Sequence, residues 1–213
     1  MTRVLVADDH AIFREGLRQI LEDVPDIDVV EEASNGQEVL DKIAKADYDL
    51  LLLDIAMPGI SGLDLLKQLR SEGRKMRVLV LSMYPEEQYA VRAIRAGASG
   101  YLTKASASEE LIDAIRKVTS GGRYISASIL DRLLFELDTP KDEWLHDRLS
   151  DREFQIFRMI GRGSSVSEIA HELSLSVKTV STHRGHILEK MKMKTNMELI
   201  NYAIKNGIVS TTD

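Results

Sequence analysis

The sequence predicts an open sheet of five parallel strands covered by helices on both faces, followed by a separate all-helical domain. Three observations predict it. Short apolar runs alternate with helix-period stretches five times before Ser120. The run Leu50–Leu53 is apolar on both faces, as a strand between two helical layers must be. From Leu149 onward the apolar period is helical throughout.

The elements follow in order. Val4–Ala7 reads as the first strand, and Ala11–Leu21 as a helix turning Ile12, Leu17, Ile20 and Leu21 inward. Val29–Glu31 is a short strand, and Gly36–Ala44 a helix with Val39, Leu40 and Ile43 inward. After the central strand come a helix at Gly62–Leu69, a strand at Val78–Leu81, a helix at Glu86–Ala96 and a strand at Gly100–Leu102. Ser108 is placed to cap a helix through Val118, which Ser120-Gly121-Gly122 stops. Ile125–Leu137 reads as a connecting helix with Ile129, Leu130, Leu133, Leu134 and Leu137 at helical spacing. The polar stretch from Asp138 to Arg148, with Pro140, reads as a linker in which Trp144 and Leu145 offer docking groups.

In the tail, Ser150-Asp151-Arg152-Glu153 and Ser165-Val166-Ser167-Glu168 both have the form of a capping box. They open helices running to Gly161 or Gly163 and to Leu173. Ser174-Leu175-Ser176 is a tight turn before a helix at Val177–Met191. Thr195 or Asn196 caps a last helix, Met197–Asn206, closed by Gly207. The resulting boundaries are a domain at 1–121, a linker with a helix at 122–147, and a domain at 148–213.

Composition narrows the function classes. With no cysteine, thiolate chemistry and disulfides are excluded. No apolar run is long enough to span a membrane, and the strand pattern starts at Arg3, so the expectation is a cytoplasmic protein without a leader. The net charge of −6 is uneven. From Ser150 onward nine Lys/Arg stand against seven Asp/Glu, while the preceding residues carry 19 against 27. A mildly basic tail on an acidic body points weakly to a polyanion partner.

Ligands of open α/β sheets bind at the carboxyl ends of the strands. Asp8 and Asp9 follow the first strand, Asp54 ends the third, Ser82 ends the fourth and Lys104 follows the fifth. Converging carboxylates need a hard cation to stay ionised together, and Mg²⁺ suits oxygen ligands with room for a phosphate oxygen. A carboxylate beside Mg²⁺ and an ammonium can attack phosphorus, because both cations offset charge on the transferred group. The Ser82 hydroxyl can hydrogen-bond the product. His10 reads as a loop residue beside the acids, and Met57-Pro58-Gly59 as loop shaping.

Asp8-Asp9, Asp54 with Ile55-Ala56-Met57-Pro58-Gly59, Ser82, and Tyr101-Leu102-Thr103-Lys104 together resemble the receiver domain of two-component response regulators, a flavodoxin-like fold. The resemblance implies that Asp54 is the phosphoacceptor. It implies Asp9 as a direct Mg²⁺ ligand, Asp8 as a water-mediated one, and the Ala56 carbonyl as another. Ser82 and Tyr101 become a switch pair, with Lys104 in an ion pair. Many receivers carry proline after this lysine, joined by a cis bond. Here the residue is Ala105, where a cis bond would cost about 3–4 kcal/mol.

Val166–Leu173, the turn and Val177–Met191 have helix-turn-helix spacing, with Ile169, Ala170, Leu173, Leu175, Val180 and Ile187 as the packing set. The outward positions of the second helix are Lys178, Thr179, Ser181, Thr182, Arg184 and Gly185, with Lys190, Lys192 and Lys194 at its far end. Lys178 and Arg184 suit phosphate or guanine, and Ser181 and Thr182 suit base edges. His183 and His186 sit one turn apart without an evident third metal ligand.

The segment from Leu149-Ser150-Asp151-Arg152-Glu153 to Lys178-Thr179-Val180-Ser181-Thr182-His183 resembles a LuxR-type effector domain. A receiver followed by this domain is the NarL/FixJ arrangement. It implies a sensor histidine kinase, double-stranded DNA, a homodimer on phosphorylation and RNA polymerase as partners, with no membrane. The stripe Leu199, Ile200, Ala203 and Ile204 divides between core and a dimer seam. Family members often carry Lys where Ser181 and Gly185 stand. Two rivals remain: a Mg²⁺-dependent aspartyl phosphatase, disfavoured because position 56 is Ala rather than an acid, and a DNA-binding regulator independent of phosphorylation.

Overall fold

The computed structural model describes residues 1–138 and 144–209. The middle of the expected linker, with Pro140, and the last four residues lie outside them. The chain divides into two units, Met1–Phe135 and Glu136–Asp213.

In the first unit β1 (Thr2–Ala7), β2 (Ile27–Ala33), β3 (Leu50–Asp54), β4 (Arg77–Ser82) and β5 (Gly100–Thr103) form one parallel sheet in the order β2-β1-β3-β4-β5. Helices α1 (Ala11–Glu22), α2 (Gly36–Ile43), α3 (Gly62–Ser71), α4 (Glu86–Arg95) and α5 (Ala107–Thr119) alternate with the strands. The register aligns Val6 with Leu52, Leu52 with Leu79, and Leu79 with Gly100. β3 is buried along its whole length, as its unbroken leucines predict. Val6, Leu52 and Leu81 pack with Leu17, Leu21, Leu111 and Ile115 in one core. Truncating one such leucine to alanine costs about 2–5 kcal/mol. The winding direction changes between β1 and β3, and this is where such sheets hold ligands.

Several elements differ from the sequence reading. β2 runs over Ile27–Ala33 because it pairs with β1 along its length. Ile12 is 90% exposed, and Phe13 takes the inward place. Phe13, Leu17, Ile20 and Leu21 then have the i, i+4, i+7, i+8 spacing of one helix face. α5 starts at Ala107 with Ser106 at the cap position, so Ser108 lies in its first turn. The Ser106 hydroxyl instead bonds Thr103 Oγ1, 3.1 Å away. Among the described residues no peptide bond is cis, so the Lys104–Ala105 bond is trans.

Beyond α5 the chain returns along β5. Tyr124 bridges Gly100, accepting from the Tyr101 amide and donating to the Ser99 carbonyl, both at 3.0 Å. α6 (Ala127–Asp138) follows. It buries Ile129 and exposes Leu130 and Leu134, so only part of the expected stripe is core.

The second unit holds a 3₁₀ turn at Leu145–Arg148 and helices α7 (Asp151–Gly161), α8 (Val166–Glu172), α9 (Val177–Lys190) and α10 (Asn196–Lys205). Both capping boxes form, and Thr195 rather than Asn196 caps α10. Ser174 adopts φ 51° in the tight turn between α8 and α9. Phe157, Ile169, Val180, Ile187, Leu199 and Ala203 are the buried centre, while Leu175 is half-buried. In the 3₁₀ turn the buried group is His146, whose Nδ1 lies 3.0 Å from the Tyr202 hydroxyl, while Trp144 stays 40% exposed. Among the described residues no helix is long and apolar enough to cross a membrane.

Candidate functional site

The carboxyl ends of β1, β3 and β5 bring three buried charges together. Asp8 and Asp54 are each 2% exposed, and Lys104 is 9% exposed. The Lys104 ammonium lies 2.6 Å from Asp8 Oδ2 and 2.7 Å from Asp54 Oδ2. One cation therefore serves two carboxylates, leaving the buried set with one uncompensated negative charge. Burial pushes the Asp54 carboxyl above the ordinary carboxylate range, and Asp8 adds to the shift while Lys104 opposes it. Burial alone would lower Lys104, but Asp54 and Asp8 outweigh it and raise its pKa.

Backbone shapes the rest. Asp54 Oδ1 accepts from the Ala56 amide at 3.0 Å. The Ile55 carbonyl accepts from the Gly62 amide at 3.0 Å, drawing the start of α3 against the loop. A Cβ on Gly62 would collide with the Asp54 carbonyl oxygen and fall 2.9 Å from Ile55 Cα. Gly59 has φ 76°, which fits the shaping role read for Met57-Pro58-Gly59. Ser61 caps α3 by accepting from the Asp64 amide.

The donor set fits a hard divalent cation. Ligand atoms of Asp8, Asp9, His10 and Asp54 all lie within 4.8 Å of one another. Among the described residues the Lys104 ammonium is the one polar group that meets Asp8 Oδ2, which leaves that buried oxygen a lone pair for a cation. Oxygen-rich donors around an open position suit Mg²⁺. His10 Nδ1 lies 2.7 Å from Asp9 Oδ1 and 3.2 Å from Asp8 Oδ1, at the exposed mouth.

Ser82 is fully buried, and its Oγ accepts from the Tyr84 amide at 3.1 Å. Tyr101 is 2% exposed, and its hydroxyl donates to the Tyr84 carbonyl at 2.8 Å. Both residues thus hold the same short segment after β4. Sequence reasoning missed Phe13, whose ring lies 4.7 Å from the Lys104 ammonium, and Arg14, which donates to the Asp8 carbonyl at 2.6 Å. It also missed an apolar cavity of about 440 Å³ beside Lys104, lined by Ile12, Phe13, Leu17, Ile20, Met83 and Ala107. No motif signals these groups, because α1 brings them in by its packing angle.

On α9, Lys178, Thr179, Ser181, Thr182 and Gly185 are exposed, with Lys192 just beyond the helix. Val180 and Ile187 face inward. Arg184 is a correction to the outward set: it is half-buried, and its Nε donates to Asn196 Oδ1 at 2.6 Å. The Thr182 hydroxyl donates to the Lys178 carbonyl, so one of its bonds stays within the helix. His183 is held below the usual imidazole range by burial. The exposed His186 lies 3.9 Å from Glu153, which Lys190 pairs at 2.7 Å. On α10, Leu199 and Ala203 are buried while Ile204 is 41% exposed.

Comparison with known proteins bears on both units. Residues 4–116 match the response regulator receiver domain, and residues 147–203 match the bacterial regulatory proteins of the luxR family. The chain is 38% identical over 212 residues to the response regulator GacA of Pseudomonas protegens, covering 100% of both chains. It is 37% identical over 209 residues to the response regulator UvrY of Escherichia coli strain K12, covering 98% of this chain and 96% of UvrY. RcsB from Salmonella enterica serovar Typhimurium, solved bound to promoter rprA with phosphomimetic BeF3-, aligns with a TM-score of 0.61 at 26% identity. That alignment covers 95% of this chain and 98% of RcsB.

Proposed function

The chain belongs to the two-component response regulators that join a receiver to a LuxR-type DNA-binding domain, and from that premise we propose that Asp54 takes a phosphoryl group from a sensor histidine kinase and so controls DNA binding by α9. The observation that carries this reading is the single ammonium of Lys104 shared by two buried carboxylates. A carboxylate short of countercharge is reactive towards phosphorus once its surroundings supply more positive charge.

Asp8, Asp9, Asp54 and the Ala56 carbonyl would hold Mg²⁺, which supplies positive charge to the transferred phosphoryl group. A carboxylate oxygen of Asp54 attacks phosphorus, and the phosphohistidine nitrogen of the kinase leaves with the bonding pair. Lys104 then turns from Asp54 to the new phosphoryl oxygens. Ser82 hydrogen-bonds the same group, which withdraws it from the Tyr84 amide. The Tyr101 ring follows, because both side chains share the segment at Tyr84. The apolar cavity beside Lys104 is where the kinase would seat.

In the second unit Lys178 and Lys192 contact phosphates, while Thr179, Ser181 and Thr182 read base edges in the major groove. Arg184 contributes after leaving Asn196, or through its charge alone. The phosphorylated chain dimerises, with exposed Ile204 in the seam, and acts on transcription in the cytoplasm alongside RNA polymerase. The functional divisions are 1–121, 122–147 and 148–213. No substrate turnover is assigned.

The test is incubation with Mg²⁺ and a small phosphodonor, read by intact mass, gel filtration and DNA binding. The wild type should gain one phosphoryl group, dimerise and bind DNA more tightly, and Asp54→Asn should do none of these. If the variant binds DNA as the treated wild type does, the regulator is independent of phosphorylation and the reading fails.

A further inference from the structure

The opposite end of the sheet holds a second charged region that the phosphoacceptor does not use. Arg70, Arg74, Lys75, Arg77 and Arg123 line a cavity of about 480 Å³, floored by the turns at Gly97 and Gly121. Among the described residues no carboxylate lines it, in a chain whose net charge is −6.

The five cations do different work. Arg70 is spent on the backbone: Nε and Nη2 donate to the Gly97 carbonyl at 3.1 and 3.0 Å, Nη1 to Arg74 and Nη2 to Met76. Gly97 has φ +102°, and a Cβ there would press within 2.9 Å of the Arg70 side chain. Arg70 therefore locks the 74–76 segment in place and satisfies the Gly97 carbonyl just past α4. Arg74, Lys75, Arg77 and Arg123 are exposed, and none forms an ion pair among the described residues. Acids nearby are engaged elsewhere. Glu72 accepts from Gln68 at 2.9 Å, and Asp49 accepts from the Arg3 amide at 2.8 Å. Arg123 Nη1 also donates to the Ala98 carbonyl at 3.4 Å, so carbonyls that need donors explain Arg70 and Arg123 but not Arg74, Lys75 and Arg77 gathered in the same concavity.

We propose that this cavity binds the phosphate chain of a small polyphosphorylated ligand, either a nucleoside triphosphate or inorganic oligophosphate. Like charges crowded in a concave site gain most from one multivalent anion, and guanidinium forks match phosphate oxygens in pairs. The volume lies in the range of small-ligand pockets. Among the described residues the lining offers no aromatic ring on which a base could stack, so recognition falls on the phosphates. A concave pocket of this size favours a compact anion over duplex DNA.

The full chain is titrated calorimetrically, without Mg²⁺, with tripolyphosphate, ATP, GTP and a DNA duplex. The comparison protein carries Arg74→Ala, Lys75→Ala and Arg77→Ala, all at exposed positions. Binding of tripolyphosphate or a nucleotide should saturate below about 1 mM and weaken at least about tenfold in the triple variant. Equal affinity for tripolyphosphate, ATP and GTP identifies the bare phosphate chain as ligand; nucleotides at least about tenfold tighter identify a nucleotide. Absent saturation, affinity unchanged in the variant, or a variant defect seen only with DNA overturns the proposal. Phosphorylation of Asp54 uses none of these residues, so either proposal can fail alone.

Discussion

Asp54 and Lys178, the residues to which phosphorylation and DNA contact are proposed to fall, sit in opposite surroundings. Asp54 is 2% exposed and fixed by Lys104, the Ala56 amide and the glycine at position 62. Lys178 is exposed on α9, and among the described residues its ammonium has no ion-pair partner. Burial makes each charge at the first site depend on its neighbours, because desolvation is offset only by pairing. Exposure leaves each charge on α9 nearly independent, waiting for a partner from outside. One region is thus intolerant and strongly coupled, while the other is tolerant and additive.

The largest effect expected from this contrast comes from Lys104→Met. It leaves two buried carboxylates without a cation and should cost about 3–5 kcal/mol in urea unfolding. The pH dependence has a definite sign. A carboxyl with a raised native pKa contributes stability at pH below its unfolded value and loses it as pH rises through the raised value. Asp54 is raised by burial, and the variant lacks the opposing ammonium, so its deficit should shrink as pH falls from about 8 to about 5. A deficit constant across that range would break the coupling argued for the site.

Gly62→Ala comes next. A Cβ forced against the Asp54 carbonyl should cost about 3 kcal/mol and lower phosphorylation, since the loop must move. Retained stability and retained phosphorylation in that variant would show the loop to be adaptable.

On the exposed side Lys178→Ala should leave the unfolding midpoint unchanged within about 0.5 kcal/mol. It should weaken DNA binding for all sequences and reduce the salt slope by about 0.9. A sequence-dependent loss would move Lys178 from phosphate to base contact. An effect of similar size and opposite sign on the salt slope is expected from Ser181→Lys, which adds a charge at an exposed position. Stability should hold within about 0.5 kcal/mol while the salt slope steepens by about 0.9. Coupling between Lys178→Ala and Ser181→Lys in a double-mutant cycle would erase the contrast of additive with coupled regions.

The same contrast explains what the sequence made legible. Asp8, Asp54 and Lys104 could be placed together because each follows an apolar strand run, and parallel strands end at one edge. Phe13 could not. It neighbours Ile12, both are apolar, and only the rotation of α1 against the sheet decides which turns in. Gly62 gave no signal beyond a helix start, since its role depends on how closely α3 approaches β3. Ser108 reads as the cap on paper, but the helix starts one residue earlier at Ala107, and Thr103 holds the hydroxyl of Ser106 before it. Arg184 fitted the outward face by periodicity, but Asn196 on the next helix holds it.

The bridge at Tyr124 has a consequence for how the molecule keeps to itself. β5 is the last strand of the sheet, and an uncovered last strand is a template on which another chain can polymerise. Tyr124 already occupies the outward carbonyl of Ser99 and the outward amide of Tyr101. Its phenol also donates to Glu110, a bond that pushes the phenol's pKa up to about 12. A single residue of the returning chain thus serves as a fence on this side: an incoming strand must first dislodge Tyr124 before it can extend the sheet from β5.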